Sequence, residues 1–279
     1  ERCREPLCAA PRSAGLCAPA LPRARAGRSQ EPAQDWRTAG RTLAESKASR
    51  SWTLDDQVLV FSIKTKMHAI SPDVMEDLQA ALALAEKDFD AMVVWSGDAP
   101  FSVGADLQAM MPAFALQGPM AIDQIEQVMQ QLFLSVRYAQ IPVVGAVHGM
   151  ALGGGCELLL HCARRVAHME SYIGLVEMGV GLVPGAGGLT HIARRAAENL
   201  AAPTTQDLPP FLTERSTPAS MAKVRTSAFE PPQPCPLLPR TSIFPPKPQL
   251  LVVPPSHPQA ISALLRRAPL HPLLPLASL

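Results

Sequence analysis

Residues 142–157 read PVVGAVHGMALGGGCE, a β-branched run that passes through five glycines to a glutamate, Glu157. Valine-rich sequence fits a buried strand, and glycine lets one stretch of backbone approach another, or a ligand, within hydrogen-bond distance. The residues after Glu157 continue as an apolar helical run, so the segment reads as strand, tight turn and helix. Such a turn restricts the chain to folds in which strands feed directly into helices, and a helix N-terminus presents unpaired N–H groups to negative charge. A second glutamate, Glu177, lies 20 residues further on, ahead of another glycine cluster, VPGAGG at 183–188. Two carboxylates beside backbone donors point to acid/base chemistry on a carbonyl compound.

That chemistry is confined to the middle of the chain. Of the 17 glycines, 14 lie between Gly97 and Gly188, whereas 14 of the 29 prolines lie between Pro231 and Pro275. Charge divides the same way: residues 1–50 carry +5, residues 51–230 carry −8 and residues 231–279 carry +4. A middle segment at −8 argues against nucleic acid, which requires a basic face, and for a small soluble ligand. The six cysteines form no C-x-x-C pair, so neither a zinc site nor a redox motif is supported, and reduced buried thiols are expected. His148 and His168 have no cysteine or carboxylate at ligand spacing, and no metal is implied. No apolar run reaches the ~18 residues of a membrane helix.

Periodicity gives the elements. Residues 58–63 read as a strand. Ser71 and Pro72 then form an N-cap and a first-turn proline, with Asp73, Glu76 and Asp77 suiting the helix dipole. Val74, Leu78, Ala81, Leu82 and Ala85 recur at three- and four-residue steps, giving an amphipathic helix to about residue 87. A second strand is expected at 91–95, a helix around 119–137 with Ile122, Ile125, Val128, Met129, Leu132 and Val136 on one face, and a third strand at 142–147. A buried helix follows at 154–162, then a short strand at 165–168 and a last helix at 185–195. Alternating strands and helices mean α/β. Residues 1–50 lack apolar periodicity, and the proline-rich, acid-free stretch 231–279 excludes regular sheet or helix over most of its length, so disorder is expected at both ends.

The loop FSVGADL at 101–107 adds a third feature. Gly104-Ala105-Asp106 leads out of the second strand at a place where a backbone N–H can point into a cleft. If the 153–155 turn faces it, two amides can hold one developing oxyanion.

FSVGADL, PVVGAVHGMALGGGCE and VEMGVGLVPGAGG resemble the three signatures of the crotonase (enoyl-CoA hydratase) superfamily, in their usual order and spacing. KTKMHAI at 64–70, MMPAF at 110–114 and SYIGLVEMGVG at 171–181 look like the hydratase portion of bacterial proteins that join it to a 3-hydroxyacyl-CoA dehydrogenase. The resemblance runs from about residue 52 to about residue 229 and weakens after residue 197. It implies an α/β fold of the crotonase-type spiral, built from ββα repeats, in a domain at 51–230 between disordered N- and C-terminal segments. It also implies trimers or dimers of trimers, and a cytoplasmic bacterial setting in preference to a mitochondrial matrix.

By the same resemblance, the N–H groups of Ala105 and Gly154 form the oxyanion hole for a thioester carbonyl. Glu157 corresponds to the base that activates water and Glu177 to the acid that protonates the substrate. Many family isomerases keep only one of these two acids, so their joint presence favours hydration: syn addition of water to a trans-2-enoyl-CoA, as in fatty-acid β-oxidation. The first-turn position of Glu157 lets the helix dipole favour its ionised form, which suits a base. Gly104 and Gly153 flank the oxyanion amides, and Gly185 packs near the substrate. Asp106, Leu107 and Gln108 border the thioester and pantetheine. Lys66, Met67, His68 and Ala69 match the loop along the coenzyme A moiety, through backbone more than side chain. Met110, Met111 and Phe114 fit either an acyl channel or core packing, and His161 lies one turn beyond Glu157.

No cofactor is implied, coenzyme A being part of the substrate. The chain holds no G-x-G-x-x-G, G-x-S-x-G or GK[ST] motif, so a nicotinamide would bind only to a dehydrogenase region outside this chain. Enoyl-CoA isomerisation, an inactive fragment and a proline-rich interaction protein are the alternatives.

Overall fold

Residues 58–63, Ser62 apart, and 91–94 are apolar throughout rather than alternately, the pattern of strands covered on both faces. The computed structural model describes residues 40–198, 208–224 and 241–244. In it these runs become neighbouring parallel strands of a seven-stranded mixed sheet whose order follows the chain. The strands are β1 (Arg41–Glu45), β2 (Ser49–Thr53), β3 (Val58–Ile63), β4 (Ala91–Val94), β5 (Val143–Leu152), β6 (Arg164–Gly174) and β7 (Thr241–Phe244). The first three pair antiparallel, and β3 to β7 run parallel. The helices are α1 (Pro72–Asp88), α2 (Leu107–Gln117), α3 (Pro119–Arg137), α4 (Gly154–His161), α5 (Gly188–Glu198) and α6 (Leu208–Ser220).

Side chains alternate between two cores. Leu59, Phe61, Ile63, Met92, Val94, Val143 and Val147 face the helices, packing with Val74, Leu78 and Leu82 of α1, Met129, Leu132 and Phe133 of α3 and Leu158 to Leu160 of α4. Val58, Val60, Val93, Val144, Ala146 and Val166 turn the other way and join Trp52 and Trp95. A leucine buried from water contributes about 1.5–3 kcal/mol, so these two layers dominate the folding free energy.

Helix α1 forms as its sequence dictates. Ser71 caps it, its Oγ accepting the Val74 N–H at 3.3 Å, and the five residues named above are buried. In α3 the buried face is Ala121, Met129, Leu132, Phe133 and Val136. Val128, expected inside, is 55% exposed, because the helix presents the 129/132/133/136 stripe to the sheet.

The ordered region begins earlier than residue 51. Strands β1 and β2 span Arg41–Glu45 and Ser49–Thr53, although disorder is expected over residues 1–50 and Ser49, Arg50, Ser51 and Thr53 are polar. The buried Ser49, Arg50 and Thr53 side chains each meet a partner. Arg50 donates to Thr42 Oγ1 at 2.8 Å and lies over the Trp52 ring, and Ser49 Oγ donates to Asp77 at 2.7 Å. The proline-rich stretch likewise contains a strand, since residues 241–244 are free of proline and pair with β6 at Arg165 to His168. The remaining expectation of disorder, at 1–39 and over the rest of 231–279, falls outside the described residues.

Strand β6 is longer than the short run at 165–168, extending to Gly174 through a register shift opposite Val147 and Gly149. Helix α5 starts at Gly188 rather than at residue 185, because Gly187 has φ +109, which no helix accommodates.

Candidate active site

Strand β5 ends at Leu152, and the 153–155 turn is held on one side by Gly153 N–H donating to Gly174 O at 3.0 Å. On its other side lies the 101–107 loop. Ser102 pairs with β5 through Ser102 N–H to Met150 O and Leu152 N–H to Ser102 O, both at 3.0 Å. Gly104 then passes so close that a Cβ there would sit 2.9 Å from Gly154 N and 2.8 Å from Leu152 O, and its φ of +96 is one that side chains avoid. A methyl at Gly154 would stand 3.5 Å from Ala105 N. The two turns therefore meet with their amides side by side. Neither the Ala105 nor the Gly154 N–H donates to an acceptor among the described residues.

The 65–70 loop braces this pair from outside. Ile70 N–H donates to Gly104 O at 2.7 Å and Asp106 N–H to Ile70 O at 3.0 Å. Lys66 and Met67 are exposed, whereas the His68 ring is buried, with Nδ1 on Pro100 O and its carbonyl accepting from Ser102 Oγ at 2.7 Å. The His68 and Ala69 amides donate within the loop, to Thr65 O at 2.9 Å and to Lys66 O at 3.2 Å. Asp106 caps α2, its Oδ1 accepting the Ala109 N–H at 3.1 Å, and Leu107 and Gln108 are exposed. Core packing does not account for Met111 and Phe114: α2 has no buried residue, and these two are 57% and 38% exposed.

Glu157 stands in the first turn of α4, where every residue is buried. Its Oε1 accepts the Gly188 N–H at 2.8 Å. Burial pushes its carboxyl up from 4.5 to about 8, the charges of Glu177 and Glu126 add to this, and the Gly188 and Ala186 amides pull the other way. The helix dipole was expected to keep this acid ionised; loss of water outweighs it, because a group 2% exposed retains little solvation.

Glu177 opens a short 3-10 turn, Glu177–Val180, and faces the glycine turn, since a Cβ on Gly153 would lie 3.6 Å from its Oε1. Both its carboxyl oxygens are buried without a hydrogen-bond partner among the described residues. Its proton affinity is raised by burial, which outweighs the nearby Glu177 and Val176 amides. The two acids are within electrostatic reach of one another across the same turn that carries the free amides. This arrangement can polarise a carbonyl oxygen while two carboxyl groups move protons beside it.

Two further side chains, Glu126 and Gln130, approach from α3. A Cβ on Gly185 would come within 2.5 Å of Glu126 Oε2, and Gln130 Nε2 donates to Gly185 O. Gly185 is thus packed against α3. The sequence held a signal for Glu126: it lies four residues after Ile122 and three before Met129, a carboxylate beside the apolar stripe. His161 does not reach the Glu157 carboxyl. Its Nδ1 meets the Glu157 carbonyl oxygen at 2.7 Å, and burial pushes its pKa down to about 4, so it stays neutral. Cys156 and Cys162 are buried thiols, the latter pushed up to about 12 by burial.

The enoyl-CoA hydratase/isomerase family model matches residues 56–208. A Rickettsia felis protein named as a fatty acid oxidation complex trifunctional enzyme is 37% identical over 137 residues, 49% of this chain and 19% of its own. The fatty acid oxidation complex subunit alpha of Acinetobacter baumannii is 39% identical over 122 residues, 43% of this chain and 17% of its own. The chain spans about a fifth of the length of these curated relatives. In fold it is similar to the enoyl-CoA hydratase of Bacillus anthracis, with a TM-score of 0.59, 22% identity and coverage of 78% of this chain and 76% of the other. The chain belongs to the enoyl-CoA hydratase/isomerase family.

Proposed function

We propose that this chain hydrates trans-2-enoyl-CoA thioesters to 3-hydroxyacyl-CoA, the hydration step of fatty-acid β-oxidation, as the hydratase part of a longer hydratase/dehydrogenase protein. The observation that carries the reading is the pair of undonated amides, Ala105 and Gly154, beside the buried Glu157 and the buried carboxyl oxygens of Glu177. A thioester oxygen accepting both N–H groups makes C3 electrophilic and stabilises the enolate that follows. One such donor is worth about 2.7–4 kcal/mol of barrier.

Syn addition needs one carboxylate and one carboxylic acid on the same face of the alkene. Glu157 acts as base on the water and Glu177 gives the proton to C2. The raised proton affinities of both acids support a pair that holds one proton near neutrality. A water between the two carboxyl groups would let the shared proton move from Glu157 to Glu177 with no change in net charge. Gly104 and Gly153 keep the amides together, and Gly185 packs near the substrate. Lys66 to Ala69 and Asp106 to Gln108 run along the coenzyme A arm. The reaction requires neither metal nor nicotinamide. The domain runs from β1 to β7, assembles as trimers or hexamers, and works in the bacterial cytoplasm. No described helix is long and apolar enough to cross a membrane.

The test is crotonyl-CoA hydration by the purified full chain. Turnover to 3-hydroxybutyryl-CoA, lost in Glu157→Gln and in Glu177→Gln, is expected. A folded chain that binds coenzyme A but gives no product contradicts the proposal.

A further inference from the structure

We infer that Glu126 is a positioning residue of this acid/base site, a third carboxyl group that shares protons with Glu157 and Glu177 and keeps one proton in the niche. Only its kinetic consequence rests on the hydratase reading; the proton sharing itself does not.

The geometry is specific. Helix α3 brings Glu126 against Gly185, where a Cβ would lie 2.5 Å from Oε2, 2.6 Å from Cδ and 3.0 Å from Oε1. The same 183–188 loop delivers Gly188 N–H to Glu157 at 2.8 Å. One loop therefore touches two carboxyl groups, and Glu177 lies on the turn that precedes it. Glu126 Oε2, like both oxygens of Glu177, is buried with no hydrogen-bond partner among the described residues. A surface carboxylate would instead turn to water, and a structural one would take a cap or a cation.

The surrounding charges leave Glu126 in acidic company. On its own helix, Asp123 accepts from Gln127 at 2.9 Å and is exposed, while Gln130 is committed to Gly185 O. From the 3-10 turn comes Glu177, and from α4 comes Glu157. Arg137 and Arg194 act on His161 and His191, and neither is among the groups that shift Glu126. Burial raises the proton affinity of Glu126 and the Glu177 charge raises it further; Glu126 in turn raises that of Glu157. Three carboxyl groups that cannot all ionise together titrate as a set. Loss of one charge from the set makes the others release their protons at lower pH.

The experiment is a carbon-13 NMR titration of the full chain labelled at glutamate carboxyls, with the Glu157 resonance assigned by its loss in Glu157→Gln. Glu126→Gln, which keeps shape and removes charge, is expected to lower the Glu157 midpoint by ~0.5 unit or more, about a threefold change in proton affinity. Glu126→Asp, which keeps the charge one methylene further away, is expected to fall between it and the parent. Equal midpoints in all three proteins overturn the inference. In crotonyl-CoA kinetics the basic limb of the kcat/KM profile moves to lower pH in Glu126→Gln, with KM held within about twofold; a purely structural residue would change kcat without moving the limb. Absence of turnover in the parent chain counts against the hydratase reading, while the NMR midpoints still decide the inference.

Discussion

Two regions of this molecule bury polar side chains, and they treat them in opposite ways. Around β2, the buried Ser49, Arg50, Trp52 and Thr53 each meet a partner. Trp52 Nε1 donates to Ser62 Oγ at 3.0 Å, Ser62 Oγ donates to Trp95 O at 2.6 Å, and Arg50 and Ser49 are held by Thr42 and Asp77. Around the 153–155 turn, two amides and three carboxyl oxygens have none among the described residues. Burying an unpaired polar group costs about 1–3 kcal/mol, so the first region stabilises the fold and the second destabilises it. What the second region gains is unspent hydrogen-bonding capacity.

The largest effect expected from breaking this contrast is catalytic. Glu157→Gln, which retains an acceptor for the Gly188 N–H, lowers crotonyl-CoA turnover by roughly 10²–10⁴-fold at unchanged fold, checked by steady-state kinetics and far-UV circular dichroism.

The next is thermodynamic and has the opposite sign. The folded Glu157 holds its proton up to about pH 8, whereas the unfolded one loses it near 4.5, so folded protein binds more protons between those values. Stability therefore falls as pH rises across that window and levels off on either side. Glu157→Gln removes this penalty: its melting temperature should match the parent at pH 4.5 and exceed it by pH 8, by an amount worth a few kcal/mol at ~1.4 kcal/mol per unit. A gap that does not widen with pH would mean that Glu157 titrates normally.

Ser62→Ala probes the satisfied region. It strands Trp52 Nε1 and should cost about 1–3 kcal/mol in urea unfolding, with turnover unchanged. Asp56→Asn, which breaks an Arg41 pair 63% and 67% exposed, should move stability by no more than ~0.5 kcal/mol.

The same contrast explains what could be read from the chain alone. The 72–88 helix was legible because its cap, first-turn proline and apolar spacing agree, and the 153–155 turn because glycine at those positions has few other uses. Strand β2 was not, because Ser-Arg-Ser-Trp-Thr becomes buried sequence only once Thr42, Ser62 and Asp77 arrive from elements distant in sequence. Strand β7 was hidden by the prolines around Thr241–Phe244. At the site, the position of Glu157 was legible and its charge state was not, since the dipole is a local effect and desolvation depends on the whole fold. Glu126 lay in plain view beside an apolar stripe, but its meeting with Gly185 depends on how α3 crosses the 183–188 loop.

The account stands on two amides and two acids serving one ligand. The direct measurement is a crystal structure of the chain soaked with acetoacetyl-CoA, whose thioester oxygen should lie ~2.7–3.1 Å from both Ala105 N and Gly154 N, with the acyl C3 between Glu157 and Glu177. A thioester bound with its oxygen on neither amide, or with the two acids on opposite sides of the acyl group, would contradict it.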